Sequence, residues 1–309
     1  MLINKAWVIS MGAVAFIMKG YFRKAKAMVI KMNDQKLRDI VKAQLAKDYN
    51  CWADDFDNND TLVTSFSNHP ERRRYEYEDN IIKLLAFEGK LVATVDDDLL
   101  EWAGGYFAEC TGEWFFDIYD ITPVALKLKV YMRELDAARL YFIPYGTNIA
   151  KKAVQPIAQI RWFERGSLDI FEGDDRFSEA LLFCPQTPDM LAVAAYDRED
   201  GDIIGMAGAS QNSAIMWEIG VNIESKARHK GLASNLVALL AREIVNRGCV
   251  PYYGACMSHV LSQRVAYSAG LYPAFCELRS ILIEEFESED ADSDDIDENN
   301  QAYGFEENQ

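Results

Sequence analysis

The residues best suited to chemistry lie in Arg228-His229-Lys230-Gly231-Leu232-Ala233, where an apolar strand pattern gives way to a helical one. A loop that enters a helix offers free backbone N–H groups at the positive end of the helix dipole, a natural seat for an anion. Gly231 at the bend permits a conformation and an approach distance that a side chain would block. Arg228 and Lys230 add positive charge. The combination suits a pyrophosphate. The segment is neither G-x-x-x-x-G-K-[ST] nor G-x-G-x-x-G. The same residues would also serve as an ordinary strand-to-helix turn.

Two titratable residues flank this loop in sequence. Glu218 stands between Trp217 and Ile219 on the preceding strand pattern. It could act as a general base, directly or through water, or be a strand carboxylate bonded to a neighbour. A one-residue slip in register would move it to the other face. His259, at the start of a later helix, could act as an acid or base near neutral pH or simply contact backbone. Tyr252 and Tyr253 alternate faces on their strand, so one can line a cleft while the other packs. Ser262 and Cys256 read as packing residues, Cys256 having no evident cationic neighbour. The six cysteines include no C-x-x-C pair and the chain has three histidines, so no metal site is expected.

The elements that must position these residues run strand, strand, strand, helix, strand, helix, strand. The strands are 191–196, 203–209, 214–223, 250–256 and one or two over 272–283; the helices are 232–246 and 258–269, the second capped by Ser258. Upstream, Leu37, Ile40, Val41 and Leu45 recur at helical spacing over 34–48. Residues 81–95 read as a hairpin turning at Glu88-Gly89-Lys90. Residues 97–108 and 123–135 read as helices, the latter opening at Thr122-Pro123, and 140–144 as a strand. The stretch 150–187 contains one long helical pattern and ends in a loop with Pro185 and Pro188.

With this order in place, the segment resembles the GNAT superfamily of acetyl-CoA-dependent N-acetyltransferases, in particular bacterial members with an additional N-terminal domain. Its [QR]-x-x-G-x-[GA] signature is matched by Arg228, Gly231 and Ala233. The stretch PDMLAVAAYDREDGDIIGMAGAS with MWEIGVNI is similar to the family's central hairpin and splayed fourth strand. VPYYGACMSHVLSQRVAYSAGLYPAFCEL is similar to its fifth strand, fourth helix and last strands, so that the resemblance covers roughly 188–280. It implies an α/β (α+β) fold with a mixed, mostly antiparallel twisted sheet flanked by helices, here preceded by a smaller α+β domain. It implies that Ile219, Val221 and Ile223 offer backbone groups to a pantetheine arm and that residues 228–234 hold the pyrophosphate of acetyl-CoA. The amine would attack directly in a ternary complex, with Glu218 and His259 as the candidate catalytic residues. Two positions depart from the family pattern. His259 stands where many members have Asn, and the position of the usual tyrosine acid falls on Ala266, with Tyr267 one step away. Those losses leave open an acyl-CoA-binding or interaction module with weak catalysis.

Composition supplies the remaining bounds. The chain has 309 residues, is half apolar and carries a net charge of −17, a globular composition with room for about two domains. Twelve of its 49 acidic residues fall in 284–309, leaving 37 against 32 basic residues before that point. An acidic body does not suit nucleic acid as a partner; by steering alone it suits a cationic acceptor, either a small-molecule or a peptide amine. Scattered single cysteines fit a reducing, cytoplasmic setting. Residues 6–18 are apolar but short for a membrane span, and Met32-Asn33-Asp34 reads as a later start, which makes 1–31 an extension. The expected divisions are 32–150, an N-terminal α+β domain; 151–283, the acetyltransferase domain; and 284–309, an acidic disordered tail. The N-terminal domain could itself be a degenerate half of the same fold, and an oligomer stays open.

Overall fold

The computed structural model describes residues 34–283, apart from 77, 146–153 and 200. The expectations for 1–31 and 284–309 lie outside the described residues. The elements in chain order are α1 (Asp34–Asp48), β1 (Leu62–Ser65), β2 (Ile82–Phe87), β3 (Lys90–Val95), α2 (Leu100–Phe107), α3 (Ile118–Lys129), β4 (Arg133–Leu135) and β5 (Arg139–Pro144). After them come β6 (Gln159–Glu164), β7 (Asp189–Tyr196), β8 (Ile203–Gln211), β9 (Met216–Ile223), α4 (Leu232–Asn246), β10 (Val250–Cys256), α5 (Val260–Ala269) and β11 (Leu271–Leu282).

Eleven strands of the described residues join in one mostly antiparallel sheet, ordered β1-β3-β2-β11-β5-β10-β9-β8-β7-β6, with β4 paired to β11. Non-local pairing organises its middle. β5, from the N-terminal part of the chain, lies between β10 and β11. β10 itself changes partners halfway. Its first residues run parallel to β9, with Val250, Pro251 and Tyr252 opposite Met216, Trp217 and Glu218. From Tyr253 to Cys256 it is antiparallel to β5, with Tyr253 opposite Phe142 and Cys256 opposite Arg139. Beyond Glu218 the edge of β9 is therefore released from β10, and the two strands diverge.

Helices cover one face of the sheet. Leu236, Val237, Leu240, Ala241 and Ile244 of α4 pack with α5 against Val193, Ala207, Ile219 and Tyr253, and α2 and α3 cover the β2–β3 end. On the other face Leu37, Val41 and Leu45 of α1, buried one helical turn apart, meet Phe87, Tyr141, Tyr252 and Phe275. Each such side chain contributes about 1.5–3 kcal/mol by leaving water. The rest of that face is crossed by the chain before β7, where Phe163, Leu168, Phe171, Phe177 and Leu181 cover Ala192, Ala194 and Met206.

That covering segment corrects the long helix expected within 150–187. Its described part is β6 followed by 3₁₀ turns at Arg165–Ser167, Asp169–Phe171 and Asp175–Phe177. Leu168, Phe171 and Phe177 fall at multiples of three, the period of 3₁₀ geometry, which a helical reading takes for amphipathicity. The helix expected over 123–135 is also displaced. α3 begins at Ile118 and carries Pro123 inside it, while 133–135 is β4. Pro123 forfeits one bond, to the carbonyl four residues back on exposed Tyr119, where water can replace it. α5 starts at Val260 with His259 as its N-cap, and no side chain caps it.

Candidate active site

The divergence of β9 and β10 opens a cavity of about 690 Å³. Ile219, Gly220 and Val221 line one side and Tyr253, Gly254, Ala255 and Cys256 the other, so the cavity passes through the sheet. On the helical side it reaches His259 and Ser262; on the other it reaches Glu218, Arg139, Tyr141 and Arg279. Two irregular segments wall it. One includes Tyr75, Glu76 and Asn80, and the other Glu179, Leu182 and Thr187. The second lies so close to β9 that a Cβ on Gly220 would sit 1.6 Å from the Glu179 carbonyl oxygen, so only glycine fits there. Asn222 fixes the approach, its Oδ1 accepting from the N–H groups of Glu179 (3.0 Å) and Ala180 (2.8 Å).

Glu218 is held at the point where the strands part. Its Oε2 accepts from the Tyr252 hydroxyl at 3.2 Å and from Asn212 Nδ2 at 3.4 Å, and its own N–H donates to Asn212 Oδ1 at 3.1 Å. Asn212 Nδ2 also donates to the carbonyl of Arg74 at 3.0 Å, tying the first wall to the same residue. Burial raises the Glu218 carboxyl above the ordinary range, opposed by the charges of Arg139 and Arg279 and by the Tyr252 bond. A carboxyl raised in this way is a stronger base than a surface glutamate once it has lost its proton.

Tyr253 Oη and Ser262 Oγ share a hydrogen bond of 2.8 Å at the helical side of the cavity. Burial raises the Tyr253 phenol, so it stays protonated at neutral pH and can donate. This pair was missed in the sequence; the alternation of Tyr252 and Tyr253 was its one signal. His259 is exposed at the mouth of the cavity. Ala266 is fully buried, and Tyr267 packs against Phe142 and Tyr272, away from the cavity lining.

Ile219 and Val221 line the cavity; Ile223 and residues 228–234 lie beyond it. Gly231 is the left-handed N-cap of α4, at φ 77°, and His229 is also left-handed at φ 60°. The N–H groups of His229 through Ser234 find no acceptor among the described residues, whereas the Gly231 carbonyl is taken by Asn235 N and Ser234 Oγ. The charged side chains turn back on the loop. Arg228 Nε donates to the Ile223 carbonyl at 3.1 Å and Lys230 Nζ to that of Lys226 at 3.2 Å. The free amides at a helix start, with a parted strand edge leading from them to the cavity, fit a pyrophosphate carrying a pantetheine arm.

Residues 155–270 match the acetyltransferase (GNAT) family. This part of the chain is a GNAT acetyltransferase domain. The matched span runs from just before β6 to the end of α5, so β5 and β11, which complete the sheet beyond β10, come from outside it. Among solved structures the chain is similar to a GCN5-related N-acetyltransferase-like protein from Streptococcus suis, at 16% identity and TM-score 0.39, covering 53% of this chain and 68% of that one. It is similar to an acetyltransferase of the GNAT family from Colwellia psychrerythraea, at 13% and 0.35, covering 47% and 56%. It is also similar to a GCN5-related N-acetyltransferase from Sphaerobacter thermophilus, at 13% and 0.39, covering 62% and 71%. No curated protein matches the chain. Among the described residues no group of His, Cys, Asp and Glu could hold a metal ion, and no helix is long and apolar enough to cross a membrane.

Proposed function

We propose that this GNAT protein transfers an acetyl group from acetyl-CoA to the amine of a small molecule or peptide, by direct attack within a ternary complex. The observation that carries the reading is the parting of β9 from β10 immediately after Glu218 and Tyr252, which opens a cavity onto a carboxylate. The amides of residues 229–234 would hold the pyrophosphate and the edge of β9 from Ile219 to Ile223 the pantetheine arm. Bound acetyl-CoA supplies an activated thioester. Glu218 takes the proton the amine must lose, Tyr253 with Ser262 donates toward the departing sulfur, and His259 stands at the mouth as a polar contact or proton relay. The cytoplasm, where cysteines stay reduced, is the proposed setting.

The test is a thermal-shift titration of the full chain with acetyl-CoA, beside Gly231→Glu, followed by thiol release with a panel of amines. At 100 times its dissociation constant a ligand adds about 2.7 kcal/mol, a rise in Tm of about 5–10 °C for a protein of this size. Gly231→Glu puts a carboxylate beside the phosphate seat and should abolish the shift. Absence of any shift in the folded wild type would overturn the reading. A shift without turnover on any amine would make the protein an acyl-CoA-binding module.

A further inference from the structure

We infer that the acceptor is a small amino acid or other short amino-carboxylic acid, whose carboxylate is held by Arg139 and Arg279 while its amine meets Glu218. This inference rests on the acetyltransferase reading of the same cavity and names its substrate class.

Strand register supplies the first argument. Tyr252 is opposite Glu218, Cys256 opposite Arg139, and Arg139 opposite Glu277. Arg279 follows Glu277 by two residues on β11 and is opposite Lys83. Side chains in register or two apart share a face, so Glu218, Tyr252, Arg139, Glu277 and Arg279 all project from the same side of the sheet. Glu218, Arg139 and Arg279 line the one cavity.

The second argument is that these two arginines are left without carboxylates. Arg72, Arg73, Arg133 and Arg247 each hold an acidic partner within 2.5–3.1 Å. Neither Arg139 nor Arg279 makes an ion pair with a described residue, and Arg139 Nε is buried with no hydrogen-bond partner. The Arg279 guanidinium lies over the ring of Tyr75, 4.2 Å from its centroid. Tyr75 is only 6% exposed and Thr187 1%; both line the cavity, and both hydroxyls lack a partner. Buried donors without acceptors are rare unless a ligand or water completes them.

Charge balance supplies the third. The charged groups that line the floor of the cavity or join the Arg73–Asp48 cluster behind it are the cations Arg73, Lys83, Arg139 and Arg279 and the anions Asp48, Glu218 and Glu277. One cation is in excess, and a single bound carboxylate would balance it. The other acids of the lining do not. Glu76 and Glu179 are exposed at the rim, and Asp136 accepts from the N–H of Ala137 and is outside ion-pair distance of either arginine. The cavity thus favours an anion locally although the chain as a whole is acidic.

The experiment compares each acceptor with its carboxylate-free twin, using the full-length chain and acetyl-CoA: glycine against glycinamide, β-alanine against its amide, and so on through the common amino acids. The expected result is at least one amino acid whose kcat/KM exceeds that of its amide about 100-fold or more, because unpaired site donors penalise the neutral analogue. Arg139→Gln and Arg279→Gln should remove most of that preference, leave the affinity for acetyl-CoA nearly unchanged, and abolish calorimetric binding of the amino acid in the presence of coenzyme A. Arg279→Lys should restore part of it. Equal use of acid and amide, preference for simple amines, or no turnover of any amino acid by a protein that binds acetyl-CoA would overturn the inference while leaving the cofactor site standing. Failure to bind acetyl-CoA would instead overturn the reading on which it rests.

Discussion

A Cβ placed on Gly254 would lie 3.1 Å from Glu218 Oε1. It would also meet the ring of Tyr141 at 2.9 Å, closer than carbon atoms tolerate. Glycine at this position of β10, two residues beyond the tyrosine that hydrogen-bonds Glu218, therefore makes the room in which the carboxylate stands. Tyr141 is fully buried and stacked on Phe275, so its ring has little freedom to yield. Glu218, facing the cavity, has more. Gly254→Ala should move the carboxylate and lower kcat about 10- to 100-fold, since displacements near 1 Å at a reacting group have that effect. Acetyl-CoA affinity should stay within about twofold. An unchanged kcat would remove Glu218 from the chemistry.

The pH dependence follows from the same residue. Burial holds the Glu218 carboxyl above its usual range, so its basic form is lost at a higher pH than for a surface glutamate. A base is competent when deprotonated; kcat should therefore rise with pH through that raised value and level off above it. Glu218→Gln keeps an oxygen for Tyr252 and Asn212 but cannot take a proton. It should cost about 10²–10⁴-fold in kcat and erase the acidic limb. Retention of that limb in the variant would assign it to another group.

Local signals in the sequence located the parts of this site, and long-range pairing assembled them. The bend at Gly231 was legible because a positive φ and a strand-to-helix change leave a local signature. Residues 140–144 read as a strand from their composition. Nothing local says that this strand enters between β10 and β11 and brings Arg139 to face Glu218 across the cavity. Arg279 was equally silent, one of two charges, with Glu277, in an otherwise apolar run whose meaning depends on which strands flank it. The 3₁₀ segment before β7 shows the opposite failure, in which a clear local period was assigned to the wrong helix type.

Tyr253 should act on the leaving group. Its hydroxyl is the buried donor at the helical side of the cavity, paired with Ser262 at 2.8 Å, while Tyr267 is turned away. Tyr253→Phe should lower kcat about 10- to 100-fold with little change in the affinity for acetyl-CoA. Ser262→Ala should cost less, because the phenol keeps its proton without that partner. Product analysis by mass spectrometry and thiol release under saturating acceptor will show the effect. Equal activity of wild type and Tyr253→Phe would mean that solvent supplies the proton.

Arg73 should be the residue on which the cavity wall depends for stability. It is fully buried; its Nε donates to Asp48 Oδ2 at 2.5 Å, its backbone N–H to Asp48 Oδ1 at 2.7 Å, and one terminal nitrogen to Glu277 Oε1 at 2.5 Å. Tyr49 Oη donates to the same Glu277 oxygen at 2.9 Å. The guanidinium also lies over the rings of Tyr75, Tyr252 and Phe275 at 5.1–5.6 Å. These contacts join α1, β11 and the segment that carries Tyr75. Arg73→Met would retain the stem but leave Asp48 and Glu277 buried without their partner, which typically costs 3–5 kcal/mol. Denaturant unfolding should show that loss. The double variant Arg73→Met with Asp48→Asn should recover part of it, because one of the stranded charges is gone. Recovery in the double variant separates an electrostatic origin from lost packing, since packing alone would leave it as unstable as Arg73→Met.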